Sequence, residues 1–169
     1  MKRIPYGISN YETLITDNYY YVDKTIYLEK LENCARTIVY LRPRRFGKTL
    51  FTSMMQYYYD INSKDKYDTL FKDTYIYNNP TKNINNYYIL KFDFSGISSA
   101  NNEKLSIRES FNKCVIDSII SFLKYYNLKA DVDYTGNASE ILRSFLVNVT
   151  LNNKIYVLTK RTQQEVPHF

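Results

Sequence analysis

The stretch YLRPRRFGKTLF, residues 40–51, decides which fold the chain can adopt. A phosphate-binding loop needs backbone N–H groups turned inward at a helix N-terminus, a lysine that reaches the β- and γ-phosphates, and a hydroxyl for magnesium. Gly47, Lys48 and Thr49 match the end of that pattern, but Arg42 stands where its first glycine is expected. A basic surface turn would explain the same residues, so the flanking sequence has to decide between a loop and a turn.

The segments on either side favour the phosphate loop. TIVYL, residues 37–41, is β-branched and apolar almost throughout, which predicts a strand covered on both faces. From Lys48 onward, apolar side chains recur every three to four residues, which predicts a helix with one buried face. They are Leu50, Phe51, Met54, Met55 and Tyr58. A buried strand, a tight loop and an amphipathic helix are the context that a phosphate loop requires.

Further elements follow from hydrophobic periodicity and from helix caps. They are a short helix over residues 25–33 capped by Thr25, a strand over residues 87–96, a helix within residues 103–126, a helix capped by Asn137 or Ser139, and a buried strand over residues 154–158. Between residues 60 and 87 the polar composition predicts a long connection with one short helix. This order of elements predicts an α/β fold with a mostly parallel sheet.

Composition narrows the class of protein. The chain has 169 residues, 44% of them hydrophobic, which fits one domain with a substantial core. Its 23 Lys and Arg against 17 Asp and Glu give a net charge of +6, which favours phosphate-bearing partners. No stretch predicts a secretory signal or a membrane span, so we expect a cytoplasmic protein with no membrane partner. Cys34 and Cys114 lack the spacing of a zinc site and are predicted to be reduced core thiols.

The loop, taken with the stretches around it, resembles the AAA-ATPase-like family of P-loop proteins. The resemblance is carried by RPRRFGKTLF, by IPYGISNYETL and YYYVDKT upstream, and by YYYDIN and LKFDFSGI downstream, and it covers roughly residues 3–158. In that family Arg-Pro-Arg-Arg-Phe-Gly-Lys-Ser/Thr is the ordinary form of the loop, so the arginine at position 42 is a family trait. The resemblance implies a three-layer P-loop NTPase-like domain that binds ATP and Mg²⁺.

The resemblance also assigns the site residues. The cofactor-binding residues that it implies are Arg44, Arg45, Phe46, Gly47, Lys48 and Thr49. Lys48 would grip the β- and γ-phosphates, Thr49 would hold magnesium through its hydroxyl, and Gly47 would let the backbone approach the phosphates. The loop arginines would add positive charge there, although pairing with surface carboxylates explains them equally well. In the YYYVDKT stretch, whose chemistry the residues do not reveal, Asp23 is expected to act as a local cap.

The chain departs from the family pattern after the strand at residues 154–158. There the family has an apolar run followed by Asp-Glu-Tyr-Asp, and the acidic residues of P-loop ATPases hold magnesium and help to activate water. Thr159, Lys160 and Arg161 occupy these positions, and a cation repels magnesium. We therefore expect residues 1–158 to be the N-terminal part of a P-loop domain, residues 159–169 to be an aberrant tail left by truncation or a frame change, and hydrolysis to be impaired. Asp93, near the end of a predicted strand, is a candidate substitute carboxylate, with an ordinary turn residue as the alternative.

Two other functions stay open on the sequence alone. Arg42, Arg44 and Arg45, with surface tyrosines, could form a basic nucleic-acid-binding module whose affinity falls steeply with salt. The chain could also be a nonfunctional gene fragment. The sequence does not decide between ATP and GTP, whether the chain is a working ATPase, or its oligomeric state.

Overall fold

The computed structural model describes residues 2–34, 37–39, 41, 46–97, 106–151 and 154–160. Its helices are α1 Tyr11–Thr16, α2 Ile26–Glu32, α3 Lys48–Tyr59, α4 Tyr67–Phe71, α5 Tyr75–Asn78, α6 Ile107–Tyr125 and α7 Ala138–Asn148. Its strands are β1 Tyr87–Asp93 and β2 Lys154–Lys160, and short 3₁₀ helices span Ile61–Lys66 and Phe94–Gly96. The chain divides into two compact units, Met1–Tyr87 and Tyr88–Phe169.

The core of the first unit forms around the buried face of α3. Most of the apolar stripe predicted for this helix is buried, which confirms both the helix and its orientation; the buried members are Phe51, Met54, Met55 and Tyr58. Helix α1 packs on α3, where the backbone N–H of Tyr11 donates to the Ser53 hydroxyl at 3.0 Å. The buried Tyr11 hydroxyl donates to the Leu70 carbonyl at 3.0 Å. Tyr11 thus fills a core position with its ring while its hydroxyl has an internal acceptor, which is one way in which a tyrosine-rich chain builds a core.

Two local predictions for the first unit are corrected in detail. Helix α2 confirms the short helix at residues 25–33, but the Thr25 side chain makes no cap hydrogen bond to it. The reason is that Thr25 has helical torsions, φ −67° and ψ −21°, whereas a capping side chain requires an extended residue. The connection between residues 60 and 87 holds α4 and α5 in addition to a 3₁₀ helix, where one short helix was expected. The buried side chains of Phe71 and Ile76 secure these short helices to the core.

The predicted buried strand at residues 37–41 is wrong for the part of it that the structure describes. Residues 37–39 and 41 have no strand conformation there. Their apolar side chains are exposed, with 41% of Ile38, 75% of Val39 and 71% of Leu41 accessible to solvent. A β-branched run becomes a strand only where a neighbouring strand completes its backbone hydrogen bonds. Local composition therefore overestimated the tendency of residues 37–41 to form a strand.

The second unit contains β1, α6, α7 and β2 in that order. The two strands pair in parallel to form a small sheet. Both helices begin with a capping box, Ser106 with Glu109 on α6 and Asn137 with Glu140 on α7, so the helix starts are defined by sequence-local bonds. Helices α6 and α7 pack together, with the rings of Phe122 and Phe145 5.4 Å apart. Both helices confirm the predicted elements. Strand β1 confirms the predicted strand only as far as Asp93, because Phe94–Gly96 forms a 3₁₀ helix in which the Asp93 carboxylate accepts from the Ser95 N–H.

Strand β2 confirms the last predicted strand and extends it to Lys160. Only Leu158 in it is buried, whereas Val157 is 52% exposed, so the expectation of a fully buried strand is wrong. The mixed helix and strand composition with a parallel sheet agrees with the predicted α/β class. Because the described residues form a sheet of only two strands, the three-layer P-loop architecture stays a prediction.

Both cysteines are free, as predicted, but they are not core residues. Cys34 is exposed, and Cys114 is half-buried. The Cys114 thiol donates to the Asp93 carbonyl at 3.4 Å. Within the described residues, no helix combines the length and apolar character needed to cross a membrane, and no group of three or more His, Cys, Asp or Glu could hold a metal ion.

Candidate functional site

The start of α3 lies where the sequence predicted a phosphate loop to meet a helix. Gly47 is the N-cap of α3, with φ +74° and ψ +21° in the left-handed region. A side chain is strained in that conformation, so the helix start requires glycine at this position. The Gly47 carbonyl accepts the first helical hydrogen bond, from the Phe51 N–H at 2.9 Å. The backbone therefore turns into the helix at the glycine of the Gly-Lys-Thr triplet.

The described side chains around this glycine have different exposures. Lys48 and Thr49, the first two residues of α3, are half-buried, while Phe46 is 60% exposed. The first turn of an α-helix presents N–H groups that have no partner within the helix, and the helix dipole makes this end partially positive. The remaining predicted loop residues, Arg44 and Arg45, lie outside the described residues, as does Arg42.

A cavity of about 230 Å³ opens beside Gly47 within the first unit. Its lining is mainly apolar and includes Ile4, Val22 and Leu50, with Lys24 as its charged residue. Small-molecule sites typically measure about 300–1,000 Å³, so this space accommodates part of a nucleotide and not the whole of one.

Lys24 is a residue of this site that the sequence did not assign. A Cβ placed on Gly47 would lie 3.8 Å from the Lys24 Nζ, so the ammonium faces the backbone at the helix start. The Lys24 side chain is half-buried. The available signal was its place in YYYVDKT, one of the stretches on which the family resemblance depended. The motif alone could not reveal a role for Lys24, because the contact between Lys24 and Gly47 forms only in the folded chain.

The residues on either side of Lys24 attach its backbone to another helix. One oxygen of the Asp23 carboxylate accepts from the Thr25 N–H at 2.8 Å, and the other accepts from the Tyr75 N–H at 2.7 Å. The buried Thr25 hydroxyl accepts from the Ile76 N–H at 3.1 Å. The prediction that Asp23 is a local cap is therefore confirmed, and the same carboxylate also binds the first turn of α5.

Tyr21 connects this segment to α3. Its hydroxyl donates to the sulfur of Met54 at 3.2 Å, and its ring meets the ring of Tyr11 edge-on with centroids 5.3 Å apart. Burial raises the pKa of the Tyr21 phenol well above its usual range, so the group stays protonated at neutral pH. The segment that carries Lys24 is thus anchored on both the α3 and the α5 side.

The candidate acidic residue of the second unit has local partners. One Asp93 oxygen accepts from the backbone N–H of Ser95 at 3.0 Å and from its hydroxyl, while the other binds the Lys160 ammonium at 3.2 Å. Burial alone would raise the pKa of the Asp93 carboxyl, but the bonds from Ser95 and Lys160 outweigh burial and lower that pKa. Asp93 thus caps the turn after β1, and its charge is balanced by the last residue of β2.

Comparison with known proteins matches the chain to a protein family. No curated protein and no solved structure is significantly similar to the chain. The family model that does match is the AAA-ATPase-like one, described as "Predicted AAA-ATPase", and it covers residues 5–160. That range includes the helix start at Gly47, the segment around Lys24 and both strands of the second unit. The chain therefore belongs to the AAA-ATPase-like family.

Proposed function

We propose that the chain binds a nucleoside triphosphate, ATP in the first instance, together with Mg²⁺ at the start of α3. The observation that carries this proposal is the left-handed Gly47 directly before Lys48 and Thr49 on a 12-residue helix. Membership of a family described as predicted AAA-ATPases supports ATP as the ligand. An anion at a helix N-terminus gains both the first-turn N–H groups and the favourable end of the helix dipole.

The residues at the helix start fit a phosphate chain and its magnesium ion. In this proposal the Lys48 ammonium binds the β- and γ-phosphates, and the Thr49 hydroxyl is the protein ligand of Mg²⁺. Magnesium usually keeps several waters and takes its other ligands from the phosphates, so a single hydroxyl here is compatible with binding. Arg44, Arg45 and Phe46 would complete the loop around the phosphates. Bound Mg²⁺ would supply charge neutralisation on the phosphate oxygens.

We further propose that hydrolysis is slow. P-loop ATPases place a carboxylate at the end of a strand to help hold magnesium. In this chain the last residue of β2 is Lys160, a cation, and the nearby Asp93 carboxylate is already bound by that ammonium and by Ser95. A carboxylate that balances a lysine has less negative charge to offer a metal.

The test is ATP binding by isothermal titration calorimetry, with and without Mg²⁺, for the unaltered chain and for Lys48→Ala. We expect Lys48→Ala to weaken ATP binding by about ten- to a hundredfold, the range for losing a hydrogen bond to a charged group. Lys72→Ala is the matched control, because Lys72 is an exposed lysine of the same unit. To test the proposal that hydrolysis is slow, ATP is incubated with the chain and Mg²⁺, and the nucleotide recovered should be mainly ATP.

Equal affinity of the unaltered chain and Lys48→Ala would refute the proposed site. Binding to nucleic acid that falls steeply with salt and ignores ATP would instead support a basic nucleic-acid-binding module. Rapid release of phosphate from ATP would refute the proposal that hydrolysis is slow.

A further inference from the structure

We propose that Lys24 is a second phosphate-binding residue of the nucleotide site, contacting the phosphate chain from the side opposite the start of α3. The inference rests on the proposed function, because it assumes a phosphate chain at Gly47. It assigns a ligand to a residue that lies far from the loop in sequence and belongs to the segment before α2.

The geometry places the Lys24 ammonium beside the backbone that phosphates would approach. Its Nζ lies 3.8 Å from the position that a Cβ on Gly47 would occupy. Both residues line the same cavity of about 230 Å³. The rest of the cavity lining is mainly apolar, so the anion would sit at its edge, at the Gly47 backbone. There it would meet the start of α3 and the Lys24 ammonium, which is a pair of charge-assisted contacts.

The charges around this position favour an anion as the partner of Lys24. The N-terminus of a helix carries partial positive charge, so a cation beside it is repelled, and half-burial reduces the screening by water. Two other lysines show the usual solution, since Lys66 pairs with Glu12 at 2.7 Å and Lys160 with Asp93 at 3.2 Å. Within the described part of the chain, Lys24 bonds through its backbone N–H, and its ammonium has no hydrogen bond or ion pair. A phosphate would supply the missing counter-charge.

The fold also holds Lys24 in place without using its side chain. Asp23 and Thr25 bind the first turn of α5, which fixes the backbone on both sides of the lysine. Fixing the backbone lowers the entropy that is lost when the ammonium contacts a ligand. Replacing the Lys24 side chain should therefore alter ligand binding and leave these structural bonds intact.

The experiment measures the affinity of ATP and of inorganic triphosphate for Lys24→Ala, Lys24→Arg and the control Lys72→Ala. We expect Lys24→Ala to weaken both ligands by the same factor, about tenfold or more, because both carry the phosphate chain. Lys24→Arg should keep most of the affinity, since it keeps the charge. Lys72→Ala should bind like the unaltered chain. Without ligand, Lys24→Ala should melt at the same temperature as the unaltered chain or slightly above it, because a repulsive charge is removed.

Two results would overturn this assignment while the proposed function stands. One is that Lys48→Ala weakens ATP binding and Lys24→Ala does not. The other is that Lys24→Ala weakens ATP but not inorganic triphosphate, because the lysine would then act on the nucleoside. If the unaltered chain binds neither ligand, the proposed function fails and the assignment of Lys24 fails with it. A drop in melting temperature for Lys24→Ala without ligand would show a structural role and would also count against the proposal.

Discussion

Two segments of the first unit end in Lys-Thr and lie at the start of a helix, yet the fold uses them differently. Residues 23–25 precede α2, and residues 47–49 lead into and begin α3. In the first segment the side chains of Asp23 and Thr25 accept hydrogen bonds from the first turn of α5. In the second segment the conformation depends on the backbone, through the left-handed Gly47.

The difference teaches that a Lys-Thr pair does not by itself identify a ligand site. Thr25 is fully buried and its hydroxyl is committed to an internal N–H group. Thr49 is half-buried, and among the described residues its hydroxyl has no hydrogen-bond partner. A hydroxyl with an internal partner stabilises the fold, whereas one without such a partner can serve a metal ion. The distinction between the two segments would fail if replacing Thr25 and replacing Thr49 lowered the free energy of unfolding equally.

The largest expected difference is between Thr25→Val and Thr49→Val. Valine at position 25 keeps the shape but removes the acceptor of the buried Ile76 N–H, which should lower the free energy of unfolding by about 1–3 kcal/mol. Thr49→Val removes no internal hydrogen bond and should change that free energy by no more than about 0.5 kcal/mol. Urea unfolding followed by circular dichroism measures both.

Thr25→Ser is the control, because it keeps the hydroxyl and should recover most of the lost stability. Equal destabilisation by Thr25→Val and Thr49→Val would remove the distinction between the two segments.

The next effect in size concerns the glycine at the start of α3. Gly47→Ala forces a side chain into the left-handed region and should cost about 1 kcal/mol of unfolding free energy. Gly7→Ala is a matched variant, because Gly7 has φ +71° and open space around it, so a similar cost is expected there. Only Gly47→Ala should also weaken ATP binding, since its methyl group would occupy the space facing Lys24. Loss of ATP binding by both variants would mean that instability alone explains the effect.

The sequence predicted best where structure is determined by local pattern. The stripe of α3, the existence of α6 and the Asn137 cap of α7 follow from residues within a few turns, and most of β1 follows from its apolar composition. The start of α3 at Lys48 was also predictable, because the apolar pattern with helical spacing begins there. In these elements the intrinsic propensity of the residues and the pattern of burial favour the same secondary structure.

The sequence failed where structure depends on distant partners. The run at residues 37–41 has the composition of a strand, but strand formation requires a neighbour to pair with, and the sequence does not name one. The Thr25 hydroxyl was predicted to cap α2, whereas it binds Ile76 on α5. The contact of Lys24 with Gly47 likewise joins residues that are distant in sequence. The helix start at Gly47 could therefore be predicted, whereas the position of Lys24 beside it could not.

The smallest expected effect concerns Lys66, a lysine that, unlike Lys24, has an ion-pair partner within the fold. Its ammonium lies 2.7 Å from the Glu12 carboxylate, and this bond, opposed by a smaller effect of burial, lowers the pKa of Glu12 below its ordinary value of 4.5. A folded-state pKa below the unfolded-state pKa means that the pair stabilises fully above the unfolded value and loses its contribution as pH falls through the folded value. The Lys66 side chain is 48% exposed, so solvent screening should keep that contribution below about 1 kcal/mol.

Urea unfolding at a series of pH values between about 3 and 7 tests this pair. Glu12→Gln should lower the unfolding free energy near pH 7, and the difference from the unaltered chain should vanish as the pH falls below the folded-state pKa of Glu12. Lys66→Gln should remove the same increment, and the double variant should lose no more than either single one, because both changes break one interaction. Lys24→Ala should show no such pH-dependent loss. A loss of the same size in Lys24→Ala would mean that the Lys24 charge also has a partner within the fold, which would contradict the contrast between the two lysines.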